Sequence, residues 1–144
     1  MTSIPTDFPP ITQAWFGIWY RPFGAEIDPA ELLFVRERGL SPGFVLPCSG
    51  DTDPALVLRK IVAERAYLLI PGTKFDETGT RHGRGGGWYD RFLAIAPNSW
   101  VRLGVVGPGQ WSDTKLIRQA WDQPMDGFVF PDEATVRWSL VPRR

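Results

Sequence analysis

Short apolar runs, separated by polar stretches rich in proline and glycine, divide this chain into many short elements. Residues 67–70 form a continuous apolar run of strand length, which is typical of parallel strands buried on both faces, and residues 101–106 are predicted to form another buried strand. Mixed apolar and aromatic runs predict further strands at residues 15–20, 44–47, 128–130 and 136–140. The strands are spread along the whole chain, as in a fold that alternates strands with helices.

Helix signals stand between the strands. Asp28 before a proline predicts a helix over residues 29–38, with Glu31 in a capping-box position and Gly39 as its end. Asp53 is expected to cap a second helix over residues 54–65.

The clearest helical periodicity lies at residues 88–96, where apolar side chains recur at positions i, i+3, i+4 and i+7. A short helix is also predicted at residues 113–120. The alternation indicates an α/β fold: one three-layer domain over residues 14–144, with a mainly parallel sheet flanked by helices. Residues 1–13, rich in proline, are expected to form an extended N-terminal arm.

Composition limits the possible partners. The 144 residues carry a formal net charge of zero, which argues against nucleic acid or an anionic membrane as the partner. No apolar run is long enough to span a membrane. A single cysteine, Cys48, rules out an internal disulfide, and we expect a cytoplasmic protein. No histidine lies beside Cys48, which argues against a catalytic thiol.

The strongest functional signal is a loop that is rich in glycine and arginine. Four of the seven residues at 81–87 are glycine, and the loop lies between an apolar strand and the predicted helix at 88–96. This order is typical of anion sites, because glycine allows close approach to backbone amides and a helix start adds unpaired donors. Arg81 and Arg84 add charges that suit phosphate or carboxylate. The alternative is a flexible surface turn.

Two common phosphate motifs do not fit this loop. No Gly-Lys-Ser/Thr follows the glycines, so it is not a P-loop, and Trp88 stands where the dinucleotide fingerprint requires glycine. His82 has no partner for a metal site and is interpreted as a loop residue that packs or caps.

Residues 71–93 resemble the 5-formyltetrahydrofolate cyclo-ligase family, also called methenyltetrahydrofolate synthetase. That family carries Pro-Gly-x-x-Phe-Asp and then Arg-x-Gly-x-Gly-Gly-Gly-Tyr-Tyr-Asp-Arg-Phe-Leu. The matching segments here are Pro71-Gly72-Thr73-Lys74-Phe75-Asp76 and Arg81-His82-Gly83-Arg84-Gly85-Gly86-Gly87-Trp88-Tyr89-Asp90-Arg91-Phe92-Leu93. Looser similarities lie at residues 23–28, at Gly104 and Gln110, and at residues 122–126.

The resemblance implies a cyclo-ligase, CoA-transferase-like fold and an activity. ATP would phosphorylate the formyl oxygen of 5-formyltetrahydrofolate, the N10 amine would attack the activated carbon, and phosphate would leave to give the 5,10-methenyl product. The implied cofactors are ATP and Mg²⁺, and the implied partners are a reduced folate and a nucleotide. A homo-oligomer remains open.

The resemblance also assigns roles to residues. Arg84 and Asp90 would be catalytic, and Asp90 and Asp122 would hold magnesium. Glu26, Tyr89 and Gln110 would bind the folate, with Trp88 facing it as well. The nucleotide phosphates would be bound by Arg81, Gly83, Gly85, Gly86, Gly87 and Trp88.

Some departures from the family pattern keep an alternative open. Trp88 replaces a tyrosine, Pro108 an aspartate and Trp121 a histidine, and no basic helix precedes the first predicted strand. Because fewer positive charges then face the phosphates, we expect slow turnover. The alternative is a reduced paralogue that binds a folate, a nucleotide or another phosphorylated small molecule without ATP turnover. A different enzyme on the same scaffold is a third reading.

Overall fold

The chain folds around a parallel sheet. The computed structural model describes residues 10–47 and 52–143. Its strands, in chain order, are β1 (Phe16–Tyr20), β2 (Pro42–Leu46), β3 (Ala66–Ile70), β4 (Lys74–Asp76), β5 (Arg81–His82), β6 (Val101–Val105), β7 (Trp111–Ser112), β8 (Gly127–Val129) and β9 (Arg137–Trp138). The helices are α1 (Leu33–Arg38), α2 (Pro54–Leu58) and α3 (Trp88–Ile95).

Six strands form the main sheet in the order β2-β1-β3-β6-β8-β9. All neighbours in it are parallel except β8 and β9, which are antiparallel. A second sheet has the order β5-β4-β7. The prediction of an α/β fold with a mainly parallel sheet is confirmed, whereas the second sheet was not predicted, because strands of two or three residues leave no periodic pattern.

The core lies on both faces of the main sheet, so the domain has the three layers that were predicted. Alternate residues of β3 enter different clusters: Leu68 and Ile70 pack with α3, whereas Tyr67 and Leu69 pack with α1. All five residues of β3 are buried, as its continuous apolar run predicted, and all five residues of β6 are buried as well, including Arg102.

The predicted helix over 29–38 is wrong in its middle. A 3-10 turn spans Pro29–Glu31, Leu32 is extended and fully buried, and α1 begins only at Leu33. The Leu33 amide donates to the carbonyl of Pro131 at 3.0 Å, so a tertiary bond replaces a helical one. Asp28 caps as predicted, accepting from the Ala30 amide, and Gly39 ends α1.

Two further helix predictions fail. The helix predicted over 54–65 ends at Leu58. The amides of Lys60 and Ile61 bond to carbonyls three residues earlier, and Ile61 is buried in the core. Residues 113–120 form no helix and bond instead to the neighbouring β4–β5 hairpin.

Part of the predicted arm and the cysteine lie outside the described residues. The arm residues concerned are 1–9, and Cys48 lies in the segment 48–51. Ile11, in the described part of the arm, is buried in the core. None of the helices in the described ranges is long and apolar enough to cross a membrane.

Candidate active site

A cleft of about 740 Å³ opens at the carboxyl ends of the first three strands of the main sheet. Its lining includes Glu26, which follows β1, Pro47, which follows β2, and residues 71–73, which follow β3. The strand that follows β1 in the chain, β2, lies on one side of β1, and β3 lies on its other side. The strand order therefore reverses at β1. Such switch points are where open α/β sheets bind their ligands.

The glycine loop, residues 83–87, forms one wall of this cleft and runs directly into α3. Gly85 and Gly87 have φ values of +102° and +70°, which side chains other than glycine rarely adopt. Gly87 is the N-cap of α3, whose first amides lack helical acceptors. At Gly86 a Cβ would meet no atom within 4 Å, so the loop presents an open backbone surface there.

Arg81 is a fixed cation beside the loop. Its side chain is buried, its Nε donates to the Pro71 carbonyl at 2.5 Å, and its guanidinium lies 5.0 Å from the ring centre of Tyr89. Burial lowers the pKa of the Arg81 guanidinium, and nearby acidic groups, Asp90 foremost, act against that shift. These contacts hold the positive charge at one place in the cleft.

Arg84 is held more loosely. Its side chain is 57% exposed and pairs with Glu26 at 3.5 Å, and its guanidinium lies 5.2 Å from the ring centre of Phe23. Glu26 also accepts a hydrogen bond from the Phe23 amide at 2.9 Å. The ion pair therefore connects the glycine loop to the loop after β1, and Arg84 remains accessible to a ligand.

A hydrogen bond connects Asp90, on α3, to the chain beside Asp122. Asp90 Oδ1 accepts from the amide of Gln123, the residue directly after Asp122, at 2.9 Å. Asp122 Oδ2 accepts from the Gln119 amide at 2.8 Å, closing a turn. Both carboxylates are thus oriented by backbone donors and line the cleft.

The remaining predicted site residues differ in how they meet the cleft. Tyr89 lines it and is half-buried. Trp88 also lines it but is only 7% exposed: its ring stacks on Phe92, and its indole nitrogen donates to the Thr52 carbonyl.

Gln110 lies behind the wall rather than among the lining residues. Its side-chain amide accepts from the Gly107 amide at 2.8 Å and donates to the Gly72 carbonyl at 2.9 Å. Gly72 is part of the cleft lining, so Gln110 supports that wall. Contact between Gln110 and a substrate stays a prediction.

Sequence reasoning missed the opposite wall. Ile117, Gln119 and Trp121 line the cleft from the 113–122 segment, which has no regular structure. His82 contributes by holding this wall, since its Nε2 lies 2.7 Å from the Ile117 carbonyl, in keeping with the packing role predicted for it. The sequence signal that could have indicated this wall is Trp121, a tryptophan among the mainly polar residues 118–123.

A buried carboxylate ties this wall to the second sheet. Asp76 accepts bonds from the Thr78 amide and hydroxyl, from the Thr80 amide and, at 2.6 Å, from the Leu116 amide. Burial alone would raise the pKa of Asp76, but these hydrogen bonds outweigh it and lower the pKa below its ordinary value. The ionised carboxylate is therefore a structural element of the cleft.

The chain is similar to known proteins of one family. A model of the 5-formyltetrahydrofolate cyclo-ligase family matches residues 50–131. The 5-formyltetrahydrofolate cyclo-ligases of Escherichia coli strains K12 and O157:H7 are each 31% identical to this chain over 87 residues, covering 56% of this chain and 46% of each relative. The chain thus spans about half the length of the curated relatives it matches.

Two solved structures are also similar. The 5,10-methenyltetrahydrofolate synthetase of Aquifex aeolicus is 25% identical with a TM-score of 0.57, covering 90% of this chain and 74% of that one. The 5,10-methenyltetrahydrofolate synthetase of Mycoplasma pneumoniae is 18% identical with a TM-score of 0.53, covering 81% of this chain and 74% of that one, and supports the fold alone. Since the family model covers more than half of its residues, the chain belongs to the 5-formyltetrahydrofolate cyclo-ligase family.

Proposed function

We propose that the chain converts 5-formyltetrahydrofolate to 5,10-methenyltetrahydrofolate with consumption of ATP. The observation that carries this proposal is one cleft at the switch point of the sheet, in which the glycine loop, two arginines and two oriented carboxylates meet. Phosphoryl transfer depends mainly on positioning and charge stabilisation, which these groups are suited to provide. Membership of the cyclo-ligase family supports the choice of substrate.

The donors in the cleft fit a magnesium nucleotide. Magnesium in such sites takes one or two carboxylates and completes its coordination with phosphate oxygens and water. Asp90 and Asp122 supply that number, and each accepts its backbone hydrogen bond through one carboxylate oxygen. Within the described ranges no group of three or more metal-binding side chains occurs, so this site relies on the nucleotide for its other ligands. Bound magnesium would neutralise phosphate charge.

The protein groups have distinct roles in this proposal. Amides of Gly85 to Trp88 bind phosphate oxygens at the start of α3, and Arg84 neutralises the γ-phosphoryl group as it moves to the formyl oxygen. Arg81 adds a fixed charge beside them. N10 of the folate then attacks the activated carbon, and inorganic phosphate leaves as the ring closes. Glu26 and Tyr89 face the folate.

The assay follows product absorbance. The methenyl product absorbs in the near ultraviolet, where the formyl substrate does not, so purified protein with 5-formyltetrahydrofolate, ATP and magnesium should generate that signal. Asp90→Asn is the sharpest variant, because an amide oxygen can still accept from the Gln123 amide while the charge is lost. We expect a loss of activity of about a hundred- to a thousandfold.

Asp132→Asn is the matched control, since Asp132 is exposed and is not among the residues lining the cleft. Equal rates for Asp90→Asn and the unmodified chain would contradict the role of Asp90. Absence of any absorbance change at high protein concentration, together with measurable folate or nucleotide binding, would reject the enzymatic proposal and favour the paralogue that binds without turnover.

A further inference from the structure

Trp121 is an exposed indole inside the cleft. It is 67% exposed, whereas the other six tryptophans are buried or half-buried. Ile117, which is 76% exposed, lines the same cleft. Two large apolar side chains therefore face solvent at the mouth of a site whose other wall carries amides and positive charge.

The backbone beneath these side chains is held in place. The Leu116 amide donates to Asp76, and the Ile117 carbonyl meets His82 at 2.7 Å. Arg118 Nε donates to the Thr80 hydroxyl at 3.0 Å. These bonds connect the segment to both ends of the β4–β5 hairpin. Ile117 is therefore exposed on a backbone that is anchored.

The backbone next to Trp121 is also fixed. The Asp122 amide donates to the Gln119 carbonyl at 3.1 Å, and the Gln119 amide donates to the Asp122 carboxylate at 2.8 Å. This turn encloses Trp121 and places it beside a carboxylate assigned to magnesium. A rigid aromatic side chain loses little conformational freedom when a ligand covers it, which favours binding.

The chemistry of the two walls points to one kind of ligand group. The glycine loop suits an anion, and the indole face suits a planar ring, because ring stacking on an exposed aromatic side chain buries apolar area without requiring directional bonds. Resting on the proposed function of the same cleft, we propose that Trp121 is the stacking platform for a planar nitrogen heterocycle of the bound ligand, with Ile117 covering the ring edge. Adenine of the nucleotide and the bicyclic ring of the folate share this chemistry.

The test compares three ligands by calorimetry: ADP, 5-formyltetrahydrofolate and inorganic tripolyphosphate, each with magnesium. Trp121→Ala should weaken binding of a ring-bearing ligand about five- to a hundredfold, and Trp121→Phe should retain most of the affinity. Tripolyphosphate should bind Trp121→Ala as it binds the unmodified chain. A loss confined to ADP assigns adenine to the platform, and a loss confined to the folate assigns its bicyclic ring.

Val62→Ala is the matched control, because Val62 is 91% exposed and is not among the cleft-lining residues. Unchanged affinity of Trp121→Ala for both ring ligands overturns the stacking proposal while leaving the proposed function intact. An equal loss of tripolyphosphate affinity also overturns it, because the effect would then act through the anion site. If the unmodified chain binds neither ring ligand, the proposed function itself fails and the stacking proposal fails with it.

Acrylamide quenching gives a second readout. Because Trp121 is the exposed indole, it should dominate the quenchable fluorescence of the unmodified chain. The ring-bearing ligand that stacks on Trp121 should protect the indole from quenching, whereas tripolyphosphate should not. Quenching that stays the same at saturating ADP and at saturating folate would contradict the proposal.

Discussion

Replacing Arg84 by alanine separates ligand binding from folding. In the protein without ligand, Arg84 contributes an exposed ion pair to Glu26 and a contact with the ring of Phe23. Exposed ion pairs stabilise by about 0–1 kcal/mol, and exposed cation–π contacts by about 0.5–1 kcal/mol. Arg84→Ala should therefore lower the free energy of unfolding by less than about 2 kcal/mol, or a few degrees in Tm.

The effect on a phosphate ligand should be larger. A charge-assisted contact to phosphate contributes about 1.5–3 kcal/mol, so Arg84→Ala should weaken tripolyphosphate or ADP binding by about ten- to a hundredfold. Arg84→Lys should retain part of the affinity, because it keeps the charge and loses the planar fork. Calorimetry measures the affinities, and thermal melts of the same samples measure the stability.

Arg36→Ala is the matched control, because Arg36 is an exposed arginine on α1 and not part of the cleft lining. An equal loss of affinity in Arg36→Ala would mean that overall charge, rather than a contact, governs binding. A large fall in Tm for Arg84→Ala with normal phosphate affinity would show that Arg84 is structural, and the reasoning would be refuted.

Three further predictions test the loop, the hairpin and the core. Gly86→Val should abolish phosphate binding, measured by calorimetry, with little change in Tm, because a side chain at this position meets no neighbouring atom. Gly85→Ala should lower the free energy of unfolding by about 1–3 kcal/mol, because Gly85 has a positive φ. Equal melting curves for the two variants would contradict this difference. The folded pKa of Asp76 lies below the unfolded value of about 3.9, so the ionised carboxylate contributes fully to the free energy of unfolding above that pH. This contribution is lost as the pH falls through the folded pKa. Urea unfolding between about pH 7 and about pH 3 should therefore show a fall in stability that is smaller in Asp76→Asn. Arg143→Ala should lower the free energy of unfolding by about 3–5 kcal/mol in denaturant titrations, because the buried carboxylate of Asp126, 3.0 Å from Arg143, loses its ion-pair partner. The double variant with Asp126→Asn should recover part of that loss. A decrease of less than about 1 kcal/mol in Arg143→Ala would contradict the stabilising role of the buried pair.

The parts of this fold that were predictable are those whose signal is local. The apolar run of β3 reports burial on both faces, and the periodicity at Phe92 and Leu93 reports the core face of α3. The glycine loop was recognisable from its composition and from its place between a strand and a helix.

What failed depends on contacts between distant residues. Leu32 leaves the helix although nothing beside it in sequence requires this, and the next amide bonds to Pro131 instead. The 113–122 segment has helix-compatible residues, but Asp76 takes the amide of Leu116 from some forty positions away. Propensity is a weak guide where tertiary bonds compete for the same backbone groups.

The hydrogen bonds of the β4–β5 hairpin have a consequence for how specificity can change. Asp76, Thr80 and His82 hold the 113–122 segment, and His82 continues directly into the glycine loop, so both walls of the cleft are attached to the small second sheet. The main sheet supplies most of the buried core. A segment of different sequence could therefore be grafted between β7 and β8, with Asp122 and the anchoring backbone bonds retained, to change which ring the cleft accepts while the anion loop and the core stay as they are.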